Sequence, residues 1–134
     1  MLQYSIMGNI PSGIKINYEV IQSAISNKQG EYILINVLPE HEQNCLIKTT
    51  VKAKDEEDLI NRLVKTNKKQ KIIIYGRNCN DDKLIKKYNQ LSSMGFKNLF
   101  VYIGGLFEWL CLQDIYGKDN FATDGEELEL LKYK

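Results

Sequence analysis

Two short runs of apolar residues, which together contain one strongly polar side chain, Asn36, constrain the fold of this chain most. The first run is residues 32–38, Tyr-Ile-Leu-Ile-Asn-Val-Leu, and the second is residues 72–75, Ile-Ile-Ile-Tyr. A strand with one exposed face alternates apolar and polar residues, whereas a strand buried on both faces is apolar throughout. The two runs therefore predict strands in the interior of a parallel sheet that is covered on both faces.

Segments with the periodicity of an amphipathic helix alternate with these strands. Apolar residues recur on one helical face at 20–25, 59–64 and 84–91, and a strongly apolar helix is expected at 106–115. Further strands are expected at 14–16, 45–51 and 98–103. Strands that alternate with helices favour a three-layer α/β domain with helices on both faces of a parallel sheet.

Residues 1–134 are predicted to form one domain, because the length suits one ordinary core and no linker interrupts it. Residues 1–13 show no periodicity and contain Gly8, Pro11 and Gly13, so an irregular N-terminal arm is expected. The core is placed at 14–116. Residues 117–134 are expected to be a C-terminal extension with a short helix, which begins at a capping box at 123–126.

Composition excludes several functional classes. Lys and Arg number 18 and Asp and Glu 17, so no net charge favours nucleic acid or a membrane surface. The three cysteines form no CxxC pair, and His41 is the only histidine, so neither a metal site nor any cofactor is predicted. Three widely spaced cysteines are a poor disulfide framework, which favours a reducing, cytoplasmic location.

One segment of the N-terminal arm leaves two interpretations open. Residues 7–12, Met-Gly-Asn-Ile-Pro-Ser, fit the N-myristoylation pattern. Gly8 is internal in this sequence, so acylation, and with it membrane contact, is expected only if Gly8 becomes the mature N-terminus. The other interpretation is a plain N-terminal arm.

The loop that follows the second apolar run is the candidate site. The run stops at Gly76, a polar loop continues to Asn80, and an amphipathic helix is expected to begin at about Asp81 or Asp82. A strand, a tight loop and a helix N-terminus place backbone N–H groups around a small concavity, which stabilises an anion or a thiolate. In parallel sheets such sites lie at the carboxyl ends of the strands.

Three stretches of the sequence resemble the rhodanese domain, the sulfurtransferase module whose superfamily also includes some protein-tyrosine phosphatases. Ile33–Glu40 resembles the family's leucine-isoleucine-aspartate-valine-arginine strand, and Ile72–Cys79 resembles its strand and active-site loop. Gly95–Trp109 is similar to its closing pattern of glycine-phenylalanine, strand, glycine-glycine and tryptophan. The resemblance implies a parallel sheet of about five strands with helices on both faces.

The loop departs from the pattern of an active rhodanese. The resemblance implies a nucleophilic cysteine directly after the last tyrosine of the strand, and Gly76 stands there. A basic residue that binds the substrate anion often closes the family's loop, whereas Asn80, Asp81 and Asp82 close this one. Carboxylates at a helix start occupy its N–H groups and repel a second anion.

Two functions remain open on this basis. The first is a binding or regulatory module without sulfurtransferase activity, which acts through its loop on an unidentified protein partner. The second is a sulfurtransferase for thiosulfate or a persulfide, with Cys79, near the helix N-terminus, as a displaced nucleophile. The predicted anion-binding loop consists of Gly76, Arg77, Asn78, Cys79, Asn80 and Asp81.

Overall fold

A computed structural model describes residues 14–27 and 30–134 of the chain. The strands are β1 Lys15–Ile16, β2 Tyr32–Asn36, β3 Leu46–Ile47, β4 Lys71–Tyr75, β5 Leu99–Tyr102 and β6 Thr123–Asp124. The α-helices are α1 Tyr18–Ser26, α2 Ala53–Thr66, α3 Lys83–Ser93 and α4 Gly105–Tyr116. Short 3₁₀ helices lie between β2 and β3, at Glu40–Glu42, and after β6, at Leu130–Tyr133. The predicted N-terminal arm, with Gly8, lies outside the described residues.

A parallel sheet in the order β1-β5-β4-β2 forms the middle layer. Strand β4 lies inside this sheet, with Ile73 opposite Leu34 of β2 and Phe100 of β5. Its residues 72–75 are fully buried, which is the burial that their unbroken apolar character predicts. The α/β fold with a parallel sheet is therefore confirmed.

The side chains of the central strands divide between two hydrophobic layers. Leu34 and Ile73 face the layer that α1 and α4 cover, while Ile35 and Ile74 face the layer that α2 and α3 cover. Successive residues of a strand point to opposite faces, so an apolar run supplies both layers at once. The predicted three-layer arrangement follows directly from that geometry.

The expected fifth strand is reduced to a remnant. Within residues 14–27 and 30–134 the parallel sheet has four strands, because only Leu46 and Ile47 of the segment 45–51 are extended. These two residues pair antiparallel with β6, and the segment reaches β2 only at its end, through a single parallel bridge of Thr50 to Leu34, beside which the Val51 N–H donates to the Leu34 oxygen at 2.9 Å. Between them Thr49 has a φ of 73°, which breaks the strand before it can add to the main sheet.

The predicted capping box at 123–126 is wrong. Thr123 and Asp124 form β6, and the Thr123 hydroxyl donates to the backbone oxygen of Gly125 at 2.9 Å rather than capping a helix. The short C-terminal helix lies later, at Leu130–Tyr133, and is of the 3₁₀ type. Pairing of Thr123 with Ile47 outweighs the local capping tendency.

In the part of the chain that the structure describes, no helix has the length and apolar character needed to cross a membrane.

Tyr75, the last residue of β4, is expected to make the fold sensitive to alkaline pH. Its buried hydroxyl accepts a hydrogen bond from the Ile47 N–H at 3.1 Å and shares another with Thr50 at 2.7 Å. Burial raises the pKa of Tyr75 above its ordinary value. The unfolded state then loses this proton first, so above pH 10 the contribution of Tyr75 to the unfolding free energy falls by about 1.4 kcal/mol per pH unit.

Urea unfolding of the wild type and of Tyr75→Phe at pH 8 and pH 11 measures this contribution. The wild type should lose more free energy between the two pH values than Tyr75→Phe does, by the amount given above. Tyr116→Phe, which changes an exposed tyrosine, should keep the wild-type dependence. Equal losses in all three proteins would contradict the prediction.

Candidate functional site

The loop between β4 and α3, residues 76–82, lies at the carboxyl edge of the sheet, where the sequence places it. The N-terminus of α4 holds its backbone, since the N–H groups of Leu106 and Phe107 donate to the oxygens of Gly76 and Arg77 at 2.9 Å. Gly105 allows this approach. Its φ is +67°, and a Cβ there would lie 2.7 Å from the Gly76 oxygen. The lack of a side chain at Gly105 thus allows α4 to hold the loop.

The Asp81 carboxylate occupies the N–H groups that an anion would need. Oδ2 accepts a hydrogen bond from the Arg77 N–H, and Oδ1 accepts one from the Lys83 N–H, both at 3.0 Å. Hydrogen bonds to a charged acceptor are stronger than those between neutral groups. Asp82 differs, since its exposed side chain makes no capping hydrogen bond within the described part of the chain. Only one of the two adjacent acids therefore fills the loop.

Gly76 is buried directly against this carboxylate. A Cβ built on Gly76 would lie 2.6 Å from Oδ2 of Asp81 and 3.0 Å from its Cγ. Real Cβ atoms essentially never approach another atom so closely, so any side chain at position 76 must displace Asp81. The absence of a side chain at Gly76 and the position of the Asp81 carboxylate thus depend on each other.

Arg77 is held by a partner that the sequence did not reveal. Its Nη2 donates to Oε1 of Glu42 at 2.7 Å, which ties the loop to the 3₁₀ helix after β2. Its Nε is buried and finds no acceptor among the described residues. The guanidinium predicted to bind a substrate anion therefore already faces a carboxylate. Glu42 is 35 residues away in a polar segment, and no local pattern links it to Arg77.

The asparagines of the loop have structural contacts. Asn78 Oδ1 accepts from the Asn80 N–H at 2.8 Å, and Asn78 Nδ2 donates to the backbone oxygen of Tyr133 at 2.8 Å. The second contact joins the loop to the C-terminal 3₁₀ helix, whose Tyr133 is buried in the core. Cys79 is exposed, beside residues that hold the loop in place.

A cavity of about 380 Å³ opens at the loop. Its described lining residues are Pro39, Arg77, Asn78, Asn80, Asp81, Asp82, Lys83 and Lys134, and they include neither Gly76 nor Cys79. The structure thus brings four of the predicted site residues to one cavity and leaves Cys79 outside its lining. Asp81 and Asp82 place two negative charges beside the basic side chains of this lining, and Glu42 already pairs with Arg77, so a substrate anion would find little net positive charge at the loop.

The other cysteines are poor nucleophiles. Cys45 is buried and Cys111 is half-buried, and burial raises the pKa of both thiols, which keeps them protonated at neutral pH. Within residues 14–27 and 30–134, no group of three or more His, Cys, Asp or Glu residues could hold a metal ion.

Comparisons with known proteins show the family and the fold of this chain. The family model of the rhodanese-like domain matches residues 6–111. The fold is similar to the rhodanese-like domain of the Alr3790 protein from Anabaena, at 23% identity and a TM-score of 0.60 over 84% of this chain and 80% of that one. It is also similar to the BH2092 protein from Bacillus halodurans, at 19% identity and a TM-score of 0.62 over 83% and 76%.

A third similar structure is the single-domain sulfurtransferase RDL2 of Saccharomyces cerevisiae, at 15% identity and a TM-score of 0.54, over 76% of this chain and 92% of that one. No curated protein matches the sequence. At these identities the structural likeness concerns the fold, so the activity has to be inferred from the loop itself.

Proposed function

The chain belongs to the family of rhodanese-like domains, and we propose that it is a member without sulfurtransferase activity that serves as a binding or regulatory module. The observation that carries this proposal is the Asp81 carboxylate, which accepts the N–H groups of Arg77 and Lys83 and lies against Gly76. Sulfur transfer from thiosulfate needs a thiolate and a site for an anion. This loop offers a glycine and an anion of its own.

The same contacts suit the loop to recognition. Hydrogen bonds to α4, to the Glu42 carboxylate and to the Tyr133 backbone hold residues 76–78 in one conformation. A partner that binds a preorganised loop loses less conformational entropy than one that must order it. The exposed side chains of Cys79, Asn80 and Asp82 are the part of the loop that a protein partner would contact.

The alternative is a sulfurtransferase that uses Cys79. The observation in its favour is that Cys79 is a free and exposed thiol in the loop. In that reaction the thiolate attacks the outer sulfur of thiosulfate, a persulfide forms and sulfite leaves, and cyanide then takes the sulfur as thiocyanate. Cys79 lies outside the lining of the loop cavity, and Glu42 already pairs with the nearby arginine, so the structural support is weaker.

Cys79→Ser is expected to leave thiosulfate:cyanide sulfur transfer unchanged. Wild type and variant should both form thiocyanate at the rate of the uncatalysed reaction, because neither presents a thiolate beside an open anion site. Cys111→Ser provides a matched control, since it removes a thiol elsewhere in the domain. Turnover in the wild type that Cys79→Ser abolishes and Cys111→Ser retains would establish the alternative.

A further inference from the structure

A second cavity shares Lys83 with the loop cavity but is lined largely by different elements. Its volume is about 470 Å³, which is within the range of small-molecule sites. The walls are the end of β2, the 3₁₀ helix at Glu40–Glu42, the first turn of α2 and the first two turns of α3. We call it the lysine groove, after its lining residues Lys83, Lys86 and Lys87.

The lysines of the groove leave two positive charges without partners. Their spacing of three and four residues places them on one face of α3. Lys87 pairs with Glu56 of α2 at 2.6 Å, whereas neither Lys83 nor Lys86 lies within ion-pairing distance of a carboxylate among the described residues. Glu40 is the other carboxylate of the lining, and it is exposed.

A buried amide in the wall of the groove also lacks a partner. Asn36 is 3% exposed, and its Oδ1 accepts the Leu38 N–H at 3.0 Å. Its Nδ2 is buried and has no acceptor in the described part of the chain. An unpaired buried donor destabilises a protein by about 1–3 kcal/mol, so such donors usually have a hydrogen-bonding partner in the functional state.

We propose that the lysine groove binds a small phosphate monoester, with its phosphate between Lys83 and Lys86. A phosphate monoester carries a charge of about −1.5 to −2 at pH 7, which matches the charge of two unpaired ammonium groups. A ligand with a single carboxylate would balance only one of them. Lysine is a common phosphate ligand that acts as a point charge. The organic part of the ligand meets the apolar side chains of Val37, Leu38 and Ala53. This site does not depend on sulfur chemistry in the loop.

Titration of the full chain with phenyl phosphate, followed by backbone amide chemical shifts, tests the proposal. Saturable shifts are expected at residues 36–38, 53–56 and 83–87. Phenyl sulfate has a similar shape and a single negative charge, and it should bind at least about fivefold more weakly. The double variant Lys83→Ala/Lys86→Ala should raise the Kd for phenyl phosphate by at least about tenfold.

The matched control is Lys65→Ala/Lys69→Ala, which removes the same charge from exposed positions outside the groove. Its Kd should change by less than about twofold, because distant exposed charges are screened by salt. Equal weakening by both double variants, or shifts that do not saturate, would overturn the proposal. A capped phosphoserine peptide that binds at least about tenfold more tightly than phenyl phosphate would also overturn it, and would assign the groove to a phosphorylated partner.

Discussion

Gly76→Cys alone is expected to destabilise the domain and to produce no sulfur transfer, whereas Gly76→Cys combined with Asp81→Ala should produce it. The new Cβ would lie 2.6 Å from Oδ2 of Asp81, so the carboxylate must leave the two N–H groups it accepts. Overpacking of this kind lowers the unfolding free energy by about 1–3 kcal/mol. Alanine at position 81 removes the obstructing oxygen and returns those N–H groups to an incoming anion.

A double-mutant cycle measured by urea unfolding separates this interaction from independent effects. Gly76→Cys should be less destabilising in the Asp81→Ala background than in the wild type, with a coupling of at least about 1 kcal/mol. In the thiosulfate:cyanide assay the double variant should exceed the wild type by at least about tenfold, since it supplies both thiol and anion site. Gly76→Ala/Asp81→Ala has the same Cβ without the thiol and should remain inactive.

Two results would contradict this account. Additive destabilisation in the cycle would show that Gly76 and Asp81 do not compete for space. Sulfur transfer by Gly76→Cys alone, equal to that of the double variant, would show that the Asp81 carboxylate does not block the anion.

The sheet was predictable because its evidence is local. Strands β2 and β4 are apolar at nearly every position, and that composition alone requires burial on both faces. Strand β3 is different, since its two residues are held by β6, and the Thr49 N–H beyond it bonds the Asp124 carboxylate 75 residues away. A window around residues 45–51 shows β propensity but neither the partner nor its direction. The fifth strand was therefore overestimated.

In the candidate site, too, local features were predictable from the sequence and contacts between distant residues were not. The sequence located the loop and the acidic residues that close it, because strand ends and helix starts have local patterns. It did not distinguish Asp81 from Asp82. The two adjacent residues carry the same side chain, and only the backbone conformation decides which carboxylate points into the loop. Nor did it reveal the contacts of Arg77 with Glu42 and of Asn78 with Tyr133, which span 35 and 55 residues. The proposed absence of sulfur transfer rests on these contacts and on the Asp81 carboxylate.

Asp81→Ala is expected to lower the unfolding free energy by about 2–3 kcal/mol, because two N–H groups lose a charged acceptor. Asp82→Ala is the matched control, and it should change the unfolding free energy by less than about 0.5 kcal/mol, since that exposed carboxylate makes no capping bond in the described structure. Asp81→Asn keeps an acceptor oxygen without the charge, so its loss should lie between these values. Urea unfolding of the variants at low salt measures the differences.

Sulfate should recover much of the stability that Asp81→Ala loses, because it can accept the N–H groups of Arg77 and Lys83 in place of the carboxylate. A ligand that binds only the folded state adds about 2.7 kcal/mol when its concentration is 100 times its Kd. Sulfate also stabilises proteins generally through exclusion from their surface, so the decisive quantity is the difference between variants at matched ionic strength with chloride as reference. A larger sulfate gain in Asp81→Ala than in Asp82→Ala or the wild type would show that the Asp81 carboxylate takes the place of an anion ligand. An equal gain in all three would show instead that removing it opens no site.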